Sequence, residues 1–189
     1  MVVIRRILGL GFVLLMLSVV VFSGPTTGAP VQGGRAMSFA LSSKSFSNGA
    51  DIPQKFTCEG ADVSPELSWN DAPAGTNGFG LIADDPDAPA GTWTHWVLYD
   101  VPPQTNHLAE GLPKQEQLPD GAHQGRNDFG KIGYNGPCPP PGKPHRYYFK
   151  LYALDQKLNL KPGTSKQQVE RAMEGHTLAK AELMGRYKR

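Results

Sequence analysis

The stretch "GYNGPCPPPGKPHRYYFKLYALD", Gly133 to Asp155, decides how this chain is read. Pro137, Pro139, Pro140, Pro141 and Pro144 crowd its first half, with Cys138 among them. Each proline fixes φ and removes a backbone donor, so the segment joins neither helix nor ladder, yet it loses little entropy on ordering. Such a loop is a fixed wall. The second half reads as a strand, with His145, Tyr147, Phe149 and Leu151 on one face and Arg146, Tyr148 and Lys150 on the other. His145 therefore stands where the strand begins, directly behind the prolines.

Working outward, short strands are expected at Met37 to Leu41, Leu67 to Trp69, Phe79 to Ala83, Trp93 to Val101 and Tyr147 to Leu154, each bounded by Gly, Pro, Asn or Asp. The 22 Gly and 17 Pro of the 189 residues imply many turns. Pro102 to Tyr134 has too little periodicity for anything but long loops, which in a compact domain are often functional. Only the C-terminus looks helical. Ser165 and Gln168 have capping-box spacing ahead of Val169, Ala172 and Met173, and Thr177 is placed to cap a second helix carrying Ala179, Leu183 and Tyr187 at i, i+4. No βαβ alternation is present, so the expected fold is mostly β: an antiparallel domain with one or two peripheral C-terminal helices.

Arg5 and Arg6 precede an apolar run from Ile7 to Phe22 and the small residues of "SGPTTGAP", the pattern of a signal peptide over residues 1–23. The alternative is an uncleaved N-terminal anchor, for which the run is short. Residues 24–36 then form a linker, and 37–189 the domain. Membrane contact is expected only through residues 1–23. Those residues carry two of the 19 Lys and Arg and none of the 17 Asp and Glu, so the remainder is formally neutral. A neutral chain has no electrostatic case for nucleic acid. Export places Cys58 and Cys138, the two cysteines, in an oxidising compartment, where they are expected to pair. Closing that loop stabilises by roughly 4 to 5 kcal/mol in the chain-entropy model.

Two sequence motifs bear on chemistry. "GRNDFGKI", Gly125 to Ile132, has the spacing of a phosphate loop, but Ile132 replaces the metal-binding hydroxyl and the proline run cannot supply the required helix. GxSxG and HExxH signatures are absent. More informative is "DDPDAPAGTWTHWVLYD", Asp84 to Asp100, where Asp84, Asp85 and Asp87 surround Pro86 in a turn and a strand follows with Trp93, His95 and Val97 on one face. An Asx turn explains any one of these aspartates, and a core position explains His95. If this strand and the one after His145 share a sheet, one end of the domain collects a carboxylate, two imidazoles, a phenol and an indole, the composition of a small polar pocket.

These two stretches, with "FTCEGADVSPELSW" before them and "HTLAKAELMGRY" after, resemble the phosphatidylethanolamine-binding, or Raf kinase inhibitor-like, family in its bacterial and archaeal branch, over nearly all of Met37 to Arg189. The resemblance implies a sandwich of two antiparallel sheets and a small anion pocket for phosphate-like or phosphorylethanolamine-like head groups. Carried over by motif position, the ligand-binding residues are Asp85, His95, His145 and Tyr147, with Trp93, Pro139 and Pro140 as walls and Asp87 as a brace of the turn. The expected function is an exported, non-enzymatic binding protein, without catalytic residue, metal or cofactor, for a small anionic or zwitterionic ligand. Two alternatives stand beside it: an inhibitor of a peptidase or kinase, and an enzyme using Asp85, His95 and His145 as metal ligands or as acid and base. Both imidazoles are expected to donate to a bound anion and to be protonated by it, with Asp85 facing the ammonium of a zwitterion.

Overall fold

The computed structural model describes residues 38–189. The signal or anchor (1–23), the linker (24–36) and Met37 lie outside the described residues. Strands form at Ala40–Ser42 (β1), Leu67–Asn70 (β2), Gly78–Asp85 (β3), Trp93–Val101 (β4), His107–Leu108 (β5), His123–Gln124 (β6), His145–Leu154 (β7) and Thr177–Tyr187 (β8). One α-helix, Lys166–Met173 (α1), and a 3-10 turn at Gln54–Phe56 complete the described elements. Among the described residues no helix is long and apolar enough to cross a membrane.

The strands make two antiparallel sheets, ordered β1-β2-β5 and β6-β4-β3-β7-β8. Alternation along each strand decides what it buries. Phe79, Leu81 and Ala83 of β3 and Tyr147, Phe149, Leu151 and Ala153 of β7 join Leu41, Leu67, Trp69 and Leu108 of the smaller sheet in the main core. The opposite face of the large sheet is covered by α1, where Val169 and Met173 pack on Ile82, Val97, Tyr99 and Leu154. At the start of α1, Gln168 Oε1 accepts from the Ser165 backbone N–H (3.2 Å) and Oγ (2.9 Å), satisfying the helix end as its spacing predicts.

The expected second helix is a strand. Residues 177–187 pair with β7 from Leu154↔Thr177 to His145↔Tyr187. Ala179, Leu183 and Tyr187 recur every four residues, which fits one helical face and equally every second residue on one face of a strand. Ala181 and Gly185, on the same face, decide between them. A Cβ at Gly185 would lie 2.4 Å from Ile52 Cγ1 and 2.9 Å from Phe46 Cε2, so glycine lets the chain pass directly over the core. The long stretch after Pro102 also differs in detail, since β5 and β6 dock its ends onto the two sheets.

Candidate functional site

The site lies at one end of the large sheet, and the topology puts it there. β3 ends at Asp85, and its two neighbours begin at Trp93 and His145. Both run antiparallel to β3, so they start near its end: Asp85 pairs with Trp93, the first residue of β4, and Asp84 with Tyr148, which leaves the start of β7 at His145 running past the end of β3. The cavity formed there has a volume of about 260 Å³. It is lined by Asp85, His95 and His145, by Trp93 and Phe129, and by Pro89, Pro139 and Pro140 among its walls.

A bulge aims His95. Ala83 faces Trp96 and Asp84 faces Thr94, so β4 carries one residue more than β3 between these pairs, and that residue is His95. The extra residue resets the alternation. Trp96 then enters the main core and Val97 the helix-side cluster, while Trp93 and His95 remain on the cavity. Strict period 2 had put Val97 on the face of Trp93 and His95. The bulge turns it to the other.

The Asp85 carboxylate is occupied on both oxygens. Oδ1 accepts from the Asp87 backbone N–H at 2.8 Å, an Asx turn, and Oδ2 accepts the Nδ1–H of His145 at 2.8 Å. The turn and the imidazole contact are thus made by one side chain. Because a carboxylate only accepts, His145 Nδ1 must carry its proton. The side chains are 4% and 12% exposed, which shields the pair from water. Asp87 braces the neighbouring corner, accepting from the Arg146 backbone N–H (2.9 Å), Nε (2.9 Å) and Nη2 (2.7 Å). These bonds to Arg146 hold its carboxyl down at about 2, against an ordinary 3.8.

His95 is set differently. Its Nδ1 lies 2.7 Å from the Asn135 carbonyl, so Nδ1–H donates. Burial keeps the imidazole below its ordinary 6.5, outweighing the Asn135 carbonyl and the Asp85 carboxylate, which act in the opposite sense. At His95, burial therefore works against the charged form that a bound anion would favour. Its ring stands edge-on to Tyr147 (5.2 Å) and to Phe129 (5.3 Å), and Phe129 in turn meets Trp93 (5.6 Å).

Tyr147 lies behind the cavity wall. It is 2% exposed, and its hydroxyl is enclosed without a hydrogen-bond partner among the described residues. Burial, with the Asp85 charge next, raises its pKa above the ordinary 10, so it is a neutral packing partner of His95. Among the described residues, no three His, Cys, Asp or Glu side chains converge as a metal site.

The proline wall is pinned from below. Cys58 and Cys138 stand at disulfide distance (Sγ–Sγ 2.08 Å, Cα–Cα 5.4 Å), and the Cys58 N–H donates to the Pro137 carbonyl at 3.1 Å. Asp62 accepts from the Gly136 N–H (2.6 Å) and Asn135 Nδ2 (2.9 Å), and Asn127 Nδ2 donates to Asn135 Oδ1 (2.9 Å). A Cβ at Gly136 would sit 2.0 Å from the Phe56 carbonyl oxygen, so only glycine allows this approach. Sequence reasoning missed Phe129, Asn135 and Asn127. The "NDFG" and "YNG" stretches signal turns, and nothing local says that these turns carry a cavity wall and a histidine anchor.

Fold and site together define a β-sandwich binding protein with a small cavity at the end of its larger sheet. The sequence model described as phosphatidylethanolamine-binding protein matches residues 42–188. This chain belongs to that family. The UPF0098 protein of Aquifex aeolicus is 54% identical over 149 residues, covering 78% of this chain and 86% of the relative. The corresponding protein of Pyrococcus horikoshii is 51% identical over 160 residues, covering 83% and 80%. Two crystal structures are similar. One is a phosphatidylethanolamine-binding protein homolog of Chlamydia trachomatis, with TM-score 0.73, 44% identity and coverage of 80% of this chain and 97% of that one. The other is Escherichia coli YbcL, described as a member of the mammalian family, with TM-score 0.75, 35% identity and coverage of 80% and 98%.

Proposed function

We propose that this protein is an exported, non-enzymatic binding protein whose cavity takes a small phosphate-like or phosphorylethanolamine-like head group. One observation carries the reading: Asp85, His145 and His95, from three adjacent strands, meet in a cavity of about 260 Å³ otherwise walled by Trp93, Phe129 and prolines. Such walls exclude water, and the few polar groups orient what enters. As an imidazolium, His145 donates from Nε2 while Nδ1 holds Asp85, so an anion gains a charge-assisted bond on a side chain already fixed. The Asp85 charge favours a zwitterion over a bare anion. Both of its oxygens are engaged, so it acts on a ligand ammonium through its field. Export is supported by the pattern of residues 5–23 and by a cysteine pair suited to an oxidising compartment.

Calorimetric titration of the protein with phosphorylethanolamine tests the pocket. Weak saturable binding at one site is expected, weakened about tenfold in His145→Ala, as befits loss of a charged hydrogen bond. Equal affinity of variant and parent would refute the assignment. With ethanesulfonate and its 2-amino derivative, whose charges do not titrate with the histidines, the amino compound is expected to bind better, and Asp85→Asn to abolish that preference. N-terminal sequencing of protein recovered from its host tests export: retention of residues 1–23 with recovery in the cytosol would refute it.

A further inference from the structure

His145 and His95 differ in what they offer a ligand. Both Nδ1 atoms donate to fixed acceptors, a carboxylate for His145 and the Asn135 carbonyl for His95. A neutral imidazole with Nδ1–H has a lone pair on Nε2, so that atom accepts and cannot donate. His95 Nε2 has no hydrogen-bond partner among the described residues, and it is absent from the fully enclosed unpaired atoms, so it is reached from the cavity that His95 lines. The charged and titratable groups around the ring are Asp85 and, from the far face, Asp84 of β3, with His145 and Tyr147 of β7. The loop packed against it from Asn135 and Gly136 brings carbonyls and no charge.

Building on the phosphate-like ligand proposed for this cavity, we infer that His95 Nε2 is a hydrogen-bond acceptor that selects an organic phosphomonoester in its monoanionic form, whose P–OH donates to it while an anionic oxygen meets His145. A phosphodiester, such as the head group of a membrane lipid, has no P–OH. Neither has a sulfate ester. Each would leave the buried acceptor unpaired while keeping the single negative charge, and unmade hydrogen bonds to buried groups are costly. The walls of Trp93, Phe129, Pro139 and Pro140 favour an apolar substituent on the ester.

Three ligands of similar shape and charge test this on the full chain at pH 6: phenyl phosphate, methyl phenyl phosphate and phenyl sulfate. Phenyl phosphate is expected to bind about tenfold tighter than the other two. Equal binding of all three overturns the inference and leaves the anion cavity standing. Absence of binding by all three sinks the cavity reading with it. The advantage is also expected to shrink toward pH 8, because the second phosphate pKa is about 6 and the monoanion disappears above it. An undiminished preference at pH 8 would mean that the dianion is bound, and would overturn the inference. Nitrogen NMR of the His95 ring at pH 7 gives a readout without mutation or ligand. Protonated Nδ1 with unprotonated Nε2 is expected, and the reverse tautomer overturns the proposal.

Discussion

Asp84 and Asp85 are consecutive residues of β3, 1% and 3% exposed, and their surroundings have nothing in common. Strand alternation sends them to opposite faces of the large sheet. Asp84 turns toward the helix layer, where Lys150 Nζ reaches both its oxygens (2.7 and 2.8 Å) and Lys166, from the first turn of α1, adds a third contact at 3.1 Å. Asp85 turns toward the cavity, where it holds His145 and the Asp87 turn. Lysine has a single terminal nitrogen, so its contacts with Asp84 hold the whole charged group against that carboxylate. Imidazole has two nitrogens, and anchoring one leaves the other for a ligand. The same carboxylate chemistry at the same depth thus makes a fastening on one face and an oriented imidazole on the other.

The comparison breaks first if Asp84 proves dispensable. Asp84→Ala leaves two lysines over an apolar sheet face, and about 3 to 5 kcal/mol of stability should be lost, as for other buried pairs deprived of one partner. Urea denaturation measures this, and a variant as stable as its parent would remove the distinction between the two faces. The folded fraction should bind ligand as the parent does.

On the cavity side the largest dependence is on the rim. Replacing Cys58 and Cys138 together by alanine should cost about 2 to 5 kcal/mol, with the chain-entropy figure as its upper end, because a span of 80 residues is then free in the unfolded chain. The Asp62 and Asn127 contacts remain, so ligand affinity should fall less than stability does. Loss of all binding with unchanged stability would reverse the roles given to the disulfide and the hydrogen bonds.

Asp85→Asn sharpens the comparison. The substituted amide keeps an oxygen for one of the two bonds while its charge is gone, so a stability loss of about 1 kcal/mol is expected, well below that of Asp84→Ala. The His145 ring resonances should shift, since its Nδ1 partner has changed. A loss as large as at Asp84 would make Asp85 structural in the same sense.

The smallest effect belongs to Asp87 and Arg146 on the outer corner. The Asp87 carboxyl is held at about 2 in the fold against 3.8 ordinarily, so the folded state binds its proton less readily than the unfolded chain does. Its contribution is present above the unfolded value and is lost as pH falls through about 2. With Arg146 half exposed, the contribution is screened and modest. Asp87→Asn should therefore lower the melting temperature slightly at pH 5 and leave it unchanged below pH 2. A constant difference across that range would show that the ion pair is not its source.

The site was legible as a set of residues and only partly as a geometry. Trp93, His145, Pro139 and Pro140 follow from strand starts and a stiff loop, each of which a few neighbours dictate. Tyr147 shares the strand face of His145, but it lies two residues further in, where the core has closed and His95 covers it. Val97 follows the same alternation on paper and departs from it across one bulge. The strand at 177–187 was misread because a four-residue recurrence is common to helix and strand, and pairing with β7 is a property of β7 as much as of the segment itself.

By itself, then, the sequence determined what local rules can decide: alternating faces, a capped helix at Ser165, a rigid proline rim and a turn closed by aspartates. Tertiary structure decided what depends on a partner distant in the chain. It placed Asp84 against lysines and Asp85 against histidine, turned Val97 to the helix side through an extra residue in β4, and gave the Nδ1 of His95 to a carbonyl 40 residues away. The reason is physical. Backbone preference and alternation are set within a few residues, whereas burial, charge pairing and the position of a ring proton are set by whichever atoms the fold brings alongside.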